Sequence, residues 1–489
     1  MAERPTPLLR RTKIVATVGP ATDSLEVLTE MMDAGVDVVR LNASHGTVAD
    51  RRRRLSLVRE AAQRADKCIG VLLDLGGPKI RIEGFRDGRV QLVEGAAFTL
   101  DTELDPKAGT AATVGVAYKD LLRDVAAGDT LLLNDGQIVL DVERVGATTI
   151  ETRVRVGGEL SDRKGLNRQG GGISAPAVTA RDHEDIQFVA EEGVDYMAVS
   201  FARSAADIEE ARALLRAAGG KAHLVAKIER HEAVENLAGI IDASDVVMVA
   251  RGDLGVEMGY AELTGLQKTI IHETRTNNRV VITATQMMES MIQNPTPTRA
   301  EVSDVANAVM DGTDAVMLSA ETATGRYPVK AVQAMAQVIE GAEKYLTHTR
   351  PRMRSTGAQF QGTEEAIAMA VMYTANHMKV RAIVALTESG ATPLWMSRIR
   401  SDIPVYAFTR HEATRRRVTL YRGVYPVIFD VTGSGDSGDS TENLYRALFT
   451  RLLELQLVQK RDLVILTKGE LSGVQGGTNS MQILKVTLD

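Results

Sequence analysis

Lys227 and Glu229 close one apolar run (HLVAKIE), Asp253 closes another (VVMVARGD), and Thr285 closes a third (VVITATQ). A cation, two carboxylates and a hydroxyl at the same ends of successive buried strands are what metal-assisted chemistry on an anion requires. Lys227 and Glu229 are two apart, so on a strand both side chains point to one face. Taken alone, such a pair reads first as a structural ion pair. Asp253 on the neighbouring strand changes that balance, because two carboxylates with few other protein ligands are a common way to hold Mg²⁺. Gly252 lets the backbone come close to a ligand where a helix starts, and amides there favour an anion. The tripeptide RGD by itself is a weak signal. Together these residues fit phosphoryl transfer best, since its catalysis is mostly positioning and charge neutralisation.

Other strand ends supply Arg40, Asn42 and Ser44 (RLNASHG), Asp74, Ser200 and Glu321. Arg40 and Arg81 are individually bland, but as strand-adjacent residues near Asp74 they read as phosphate clamps. His45 is open between a satisfied turn residue and a ligand contact. Arg51 to Arg54 form a charge run on a helix, which reads as a solvated face.

These side chains need a scaffold that brings strand ends together. Short apolar runs recur: KIVATVG from Lys13, DVVRLNAS from Asp37, IGVLLDLG from Ile69, YMAVSFA from Tyr196, then HLVAKIE, VVMVARGD, VVITATQ and DAVMLSAET. Continuous β-branched and leucine-rich runs suit strands buried on both faces of a parallel sheet. Amphipathic stretches between them (SLEVLTEMMDAG, SAADIEEARALLRAAG, AEVSDVANAVMDG) suit crossover helices, with Gly35 and Gly312 at expected helix ends. Eight such units predict a (β/α)₈ barrel whose catalytic groups lie at the C-terminal strand ends.

The gap from Ile69 to Tyr196 far exceeds its neighbours, so roughly one hundred residues are inserted after the third strand. Alternating segments and Gly/Asp turns (RVQLVEG, DTLLLNDG, TTIETRVRV) predict a small antiparallel β-domain there, placed to act as a lid. THTRPRMRSTGAQFQG reads as an interdomain linker with solvated arginines, and the alternating segments from Glu364 onward predict an open α/β sheet with helices on both faces. The expected division is 1–77 and 174–346 for the barrel, 78–173 for the insert, and 347–489 for the C-terminal domain.

At 489 residues, about three domains is the natural prior. The net charge of −6, with 44% hydrophobic and 25% charged residues, fits a soluble enzyme and gives no support for a nucleic-acid or membrane partner. The one cysteine, Cys68, reads as core, since it has no partner for an intrachain disulfide. The first residues, MAERPTPLLRRTK, lack the apolar stretch of a secretory signal, and a cytoplasmic enzyme is the expectation.

The chain resembles the pyruvate kinases over nearly its full length, through KIVATVGPAT, VRLNASHG, LLDLGGPKIR, AVSFAR, VAKIERHEAVENL, VMVARGDLGVEM and TATQMMESMIQNPTPTRAEVSDVANAVMDGTDAVMLSAETATGRYP. The resemblance implies an α/β chain: a TIM-barrel A domain, an inserted small β-barrel B domain, a C-terminal open-sheet domain with an effector site, and a homotetramer. It implies transfer of a phosphoryl group from phosphoenolpyruvate to ADP, giving pyruvate and ATP, with Mg²⁺ (or Mn²⁺ in its place). By that resemblance Lys227 neutralises the transferring phosphoryl group and the enolate oxygen. Glu229 and Asp253 hold the metal, and the Gly252 and Asp253 amides receive the carboxylate. Thr285 lies on the protonation side, and Ser319 and Glu321 join the substrate set. Arg40, Asn42, His45, Arg81 and Lys164 (DRKGLN) serve the nucleotide and its phosphates, while Asn42, Ser44, Asp74 and Ser200 match the monovalent-cation neighbourhood.

Two departures from the family pattern matter. Leu75 and Lys79 stand where many members have Thr and Glu, so Lys79 is expected to replace K⁺, which is then not required. The C-terminal loop TESGATPLWMSR keeps Thr387, Ser389, Gly390 and Thr392 for a phosphorylated small-molecule effector, but has Ala391 where arginine is common. The last loop, TKGELSGVQGGTNSM, lacks a tryptophan often found there, which leaves the effector's identity open. A Mg²⁺-dependent lyase or aldolase on the same barrel is the first alternative, opposed by Lys227, Lys164 and the arginine pair. A catalytically silent metabolite sensor is the second, opposed by the intact catalytic positions.

Overall fold

The structure, a computed structural model, describes residues 9–349, 360, 362–430, 440–469 and 477–487. Strands β1 (Lys13–Thr17), β2 (Val38–Asn42) and β3 (Gly70–Asp74) come first, followed by the inserted strands. These are β4 (Arg89–Leu92), β5 (Ala97–Asp101), β6 (Thr113–Gly115), β7 (Thr130–Leu133), β8 (Ile138–Val145), β9 (Thr149–Val156), β10 (Gly158–Ser161) and β11 (Leu166–Arg168). Next come β12 (Tyr196–Val199), β13 (His223–Ile228), β14 (Val246–Ala250), β15 (Val280–Ala284) and β16 (Ala315–Leu318). The order β1-β16-β15-β14-β13-β12-β3-β2 closes as a barrel, and its strands are the eight apolar runs of the sequence. Their pairing is parallel, as in Val246↔Val280 and Val225↔Val246.

By internal contacts the chain divides into two compact units. One comprises Asn42–Arg51 and Leu73–Gln286, so it holds the insert, β12 to β15 and the Lys227 to Thr285 set. Its inserted strands form a six-stranded sheet, β11-β7-β8-β9-β5-β6, and a two-stranded ribbon, β10-β4. All these pairs are antiparallel except β5 with β6, which is parallel. Phe98, Leu131, Leu133, Leu140 and Ile150 are buried at its centre, as strand alternation requires.

The other unit comprises Met1–Leu41, Arg52–Leu72 and Met287–Asp489. It includes a five-stranded sheet from β17 (Ala382–Leu386), β18 (Val405–Thr409), β19 (Val424–Ile428), β20 (Leu463–Gly469) and β21 (Thr478–Lys485), ordered β19-β18-β17-β20-β21. A buried polar seam ties β1 to this sheet: Lys13 Nζ donates to the Val424 carbonyl at 2.7 Å and lies over the Tyr425 ring at 4.5 Å. Burial pulls the Lys13 ammonium down to about 8, against the pull of Asp37. Arg398 adds a bidentate pair to buried Asp314 at 2.9 and 2.6 Å.

The helix-end glycines behave as the pattern requires. Gly35 (φ 120) and Gly312 (φ 101) end their helices in a left-handed conformation that costs a glycine least. Two expectations change. Arg51 is buried at 3% exposure and paired with Asp185, so the charge run is solvated only in part. Cys68 is half-buried and lies outside the core. Most of the expected linker, and residues 470–476 of the last loop, lie outside the described residues. Among the described residues no helix is long and apolar enough to cross a membrane.

Candidate active site

Lys227 reaches from β13 into a knot of oxygen atoms. Its Nζ lies 2.8 Å from Glu229 Oε1, 2.8 Å from Ser200 Oγ and 3.4 Å from Asp74 Oδ1. Glu229 is buried at 2% exposure, and its other oxygen accepts from the Phe201 amide at 2.8 Å. Phe201 holds a left-handed backbone (φ 57), unfavourable for a non-glycine residue, and that turn aims its amide at Glu229. Burial pushes the Glu229 carboxyl up, Lys227 opposes, and the charges of Asp253 and Asp74 push it further up.

Asp253 and Gly252 sit in the first turn of the helix Arg251–Met258, directly after β14. Thr285, directly after β15, also has a left-handed backbone (φ 65). Its hydroxyl accepts from the Gly252 amide at 2.8 Å and donates to the Ala284 carbonyl at 2.7 Å. A side chain at Gly252 would meet Thr285 first, at 3.8 Å, so the glycine leaves room beside the helix end. Arg251 supports this corner, donating to the Ala284 carbonyl at 3.1 Å and the Thr285 carbonyl at 2.7 Å. Neither Arg251 nor Phe201 stood out by residue type. The one signal for Arg251 was its place beside Gly252 at the end of β14.

Lys79 reaches Asp253, with Nζ 3.1 Å from Oδ1. A side chain at Gly165 would lie 3.2 Å from Lys79 Cε, so this glycine gives the lysine its course. Lys79 and Lys227 thus face Asp74, Glu229 and Asp253, and the carboxylates outnumber these two ammonium groups. No group of three or more His, Cys, Asp or Glu that could hold a metal occurs among the described residues. Two mutually repelling carboxylates, one of them buried, nevertheless fit a hard divalent cation that keeps much of its own water.

The remaining candidates fall into separate places. Asn42 Oδ1 accepts from the Ser44 amide at 3.0 Å, and the His45 carbonyl faces Arg51 Nη1 at 3.4 Å. Exposed Arg81 bridges to Gly165 and donates to the Arg163 carbonyl at 3.1 Å, which puts it beside the Lys164 segment in the insert. Arg40 is buried at 9% exposure and donates to Thr17 Oγ1 at 3.0 Å. Glu321 accepts from the Ser319 amide at 2.6 Å and the Met288 amide at 3.2 Å, so it braces that turn. In the C-terminal loop, Thr387 accepts from the Gly390 amide at 2.9 Å and Ser389 from the Ala391 amide at 3.4 Å. Thr392 bonds Thr478 at 2.6 Å and does not cap the helix Ala391–Ser397.

Comparison with known proteins places the chain in a family. The family described as pyruvate kinase, barrel domain, matches residues 9–332, and pyruvate kinase, alpha/beta domain, matches residues 365–484. Pyruvate kinase II of Salmonella typhimurium is 51% identical over 483 residues, covering 98% of this chain and 99% of the relative. The pyruvate kinase of Haemophilus influenzae is 50% identical, covering 94% and 96%. That of Geobacillus stearothermophilus is 41% identical, covering 97% and 80%. The chain belongs to the pyruvate kinase family.

Proposed function

We propose that the protein transfers the phosphoryl group of phosphoenolpyruvate to ADP, yielding ATP and pyruvate, at the site formed by Lys227, Glu229, Asp253 and Thr285. The observation that carries this reading is Lys227 Nζ, held among Glu229, Ser200 and Asp74 with its ammonium partly buried. A fixed cation in a partly water-excluded site stabilises charge that develops on the transferring phosphoryl group and the enolate oxygen. The Gly252 end of its helix receives the substrate carboxylate, aided by the helix dipole. Thr285, whose hydroxyl already binds the Gly252 amide, stands where the enolate carbon takes its proton, through water. Arg81 and Lys164 on the insert serve the nucleotide phosphates together with Asn42 and His45, and the family resemblance assigns Arg40 the same role. The family resemblance assigns Ser319 and Glu321 to the substrate as well.

Glu229 and Asp253 would hold Mg²⁺, or Mn²⁺ in its place. When bound, such a cation supplies charge neutralisation for the phosphoryl oxygens and the enolate. Lys79 provides the positive charge that K⁺ brings in other members, which makes the enzyme K⁺-independent. Thr387, Ser389, Gly390 and Thr392 form the place for a phosphorylated effector, and the working enzyme is a cytoplasmic homotetramer. A coupled assay of ATP formed from phosphoenolpyruvate and ADP tests the central claim. Absence of ATP formation at saturating Mg²⁺ by folded protein refutes it.

A further inference from the structure

The helix that presents Gly252 and Asp253 is gripped at its other end by the segment through which the chain leaves the insert. Glu257 lies four residues after Asp253, so the two carboxylates share one face of the helix, a turn apart. Glu257 is buried at 5% exposure. Its Oε2 accepts from the His231 amide at 3.1 Å, and its Oε1 faces Asn167 Nδ2, at the end of the inserted sheet, at 3.5 Å. Its backbone carbonyl accepts from the Gly170 amide at 3.4 Å.

The segment beyond Asn167 is shaped for a defined bend. Gly170, Gly171 and Gly172 hold φ values of 80, 78 and 91, which glycine adopts without a side-chain clash. A side chain on Gly171 would lie 2.7 Å from the Glu232 carboxylate, and one on Gly172 would run into Arg168. The Gly172 amide donates to Glu232, Arg168 donates to the Gly171 carbonyl at 2.7 Å, and Arg230 donates to the Ile173 carbonyl at 2.9 Å.

We propose that Glu257 is a positioning residue which, through Asn167 and the His231 amide, couples the pose of the inserted domain to the helix end that receives substrate. The proposal rests on the placement of substrate at Gly252 and Asp253 given above. A stiff helix of this length carries a tilt at Glu257 to Gly252, about 8 Å away at 1.5 Å per residue. The grip is sensitive to protonation, because only the carboxylate accepts fully from both partners. Burial pushes the Glu257 carboxyl up to about 7, the His231 amide and Arg230 pull it down, Glu232 pushes it up, and Asn167 pulls it down. On the returning strand Arg168 is engaged by Asp129 at 2.9 Å. On the following helix, Tyr260–Thr276, Tyr260 and Glu262 are exposed, and β14 contributes only apolar side chains.

The test compares kcat/KM for phosphoenolpyruvate between wild type and Glu257→Gln from pH 6 to 8 at saturating Mg²⁺, so that titration of the substrate cancels in the ratio. The expected ratio of wild type to variant is near one at pH 6, where Glu257 is protonated. It rises at least threefold by pH 8, with a midpoint near 7 and with KM carrying the change. A flat ratio overturns the proposal, since a merely structural loss would not acquire this midpoint. Asn167→Ala should raise KM at pH 8 by a similar factor and add nothing to Glu257→Ala; additive effects also overturn it. Asp253→Asn serves as the control. Unchanged metal and substrate dependence there sinks the placement of substrate as well, whereas an impaired control with a flat ratio sinks the coupling alone.

Discussion

Lys79 Nζ lies 3.1 Å from Asp253 Oδ1, while Lys227 Nζ lies 3.4 Å from Asp74 Oδ1. From the sequence, the Lys79 charge was expected near Asp74, at the end of its own strand. The structure carries it across to the carboxylate after β14. The pair is 28% and 18% exposed, and its gross Coulomb attraction is roughly 5 kcal/mol at an effective dielectric of 20, reduced by solvent screening.

On the proposed reading, the fixed charge of Lys79 takes the place of an added monovalent cation. The rate in buffer free of Na⁺ and K⁺ but containing Mg²⁺ should nearly equal the rate with K⁺ added. Lys79→Glu should lower the K⁺-free rate at least tenfold and restore a response to K⁺. A tenfold or greater rise on adding K⁺ to the wild type would show that Lys79 does not take the ion's place.

The eight barrel strands were legible because each is a continuous β-branched or leucine-rich run, buried on both faces. β19 was not, because it contains Pro426; it forms on the edge of its sheet, where a missing amide does no harm. β21 was hidden by its polar composition, TNSMQILK, which suits an antiparallel edge open to water on one side. Lys227, Glu229, Asp253 and Thr285 were visible as polar residues ending apolar runs. The supports were not: Phe201 acts through its amide, and Arg51 meets Asp185 far along the chain. Local patterns carry no signal for a backbone donor or for a distant partner.

The position of Lys227 predicts a large kinetic effect with intact binding. Lys227→Met should lower kcat by several orders of magnitude, with the lost transition-state contact alone accounting for at least about 3 kcal/mol. Glu229 and Asp253 remain, so Mn²⁺ binding followed by electron paramagnetic resonance should persist. Near-normal turnover by folded Lys227→Met protein would remove this residue from the chemistry.

Metal dependence separates ligands from mere ion-pair partners. Asp253→Ala should raise the Mg²⁺ concentration for half-maximal rate at least tenfold and depress the limiting rate. Glu229→Gln should do the same while keeping an acceptor for the Phe201 amide, which avoids the cost of about 1–3 kcal/mol for an orphaned buried donor. Unchanged Mg²⁺ titrations in both variants would put the metal elsewhere.

The C-terminal loop offers a test of regulation. Thr387 and Ser389 accept from the Gly390 and Ala391 amides in the turn proposed to take a phosphate, which would compete for those amides. A sugar monophosphate or nucleoside monophosphate should lower the half-saturating phosphoenolpyruvate concentration, and Ser389→Glu should abolish the response by repulsion. A panel of such phosphates that leaves the saturation curve unmoved counts against the effector site.

Glu257 also gives stability a pH dependence of definite sign. Its folded carboxyl titrates near 7 and its unfolded one near the ordinary 4.5, because burial disfavours the charge. Between these values the folded protein keeps a proton that the unfolded chain has lost, so its contribution is fully present below about 4.5 and fades as pH rises through 7. The span corresponds to about 3–4 kcal/mol at most, at roughly 1.4 kcal/mol for each pH unit. Glu257→Gln preserves the shape but cannot ionise. Its Tm relative to wild type should therefore climb between pH 5 and pH 8, even though its kcat/KM falls behind over the same range. The two trends oppose each other because burial sets the cost of the charge while the bonds to Asn167 and His231 set its use. A Tm difference that stays constant across this range would show that Glu257 keeps an ordinary carboxylate titration.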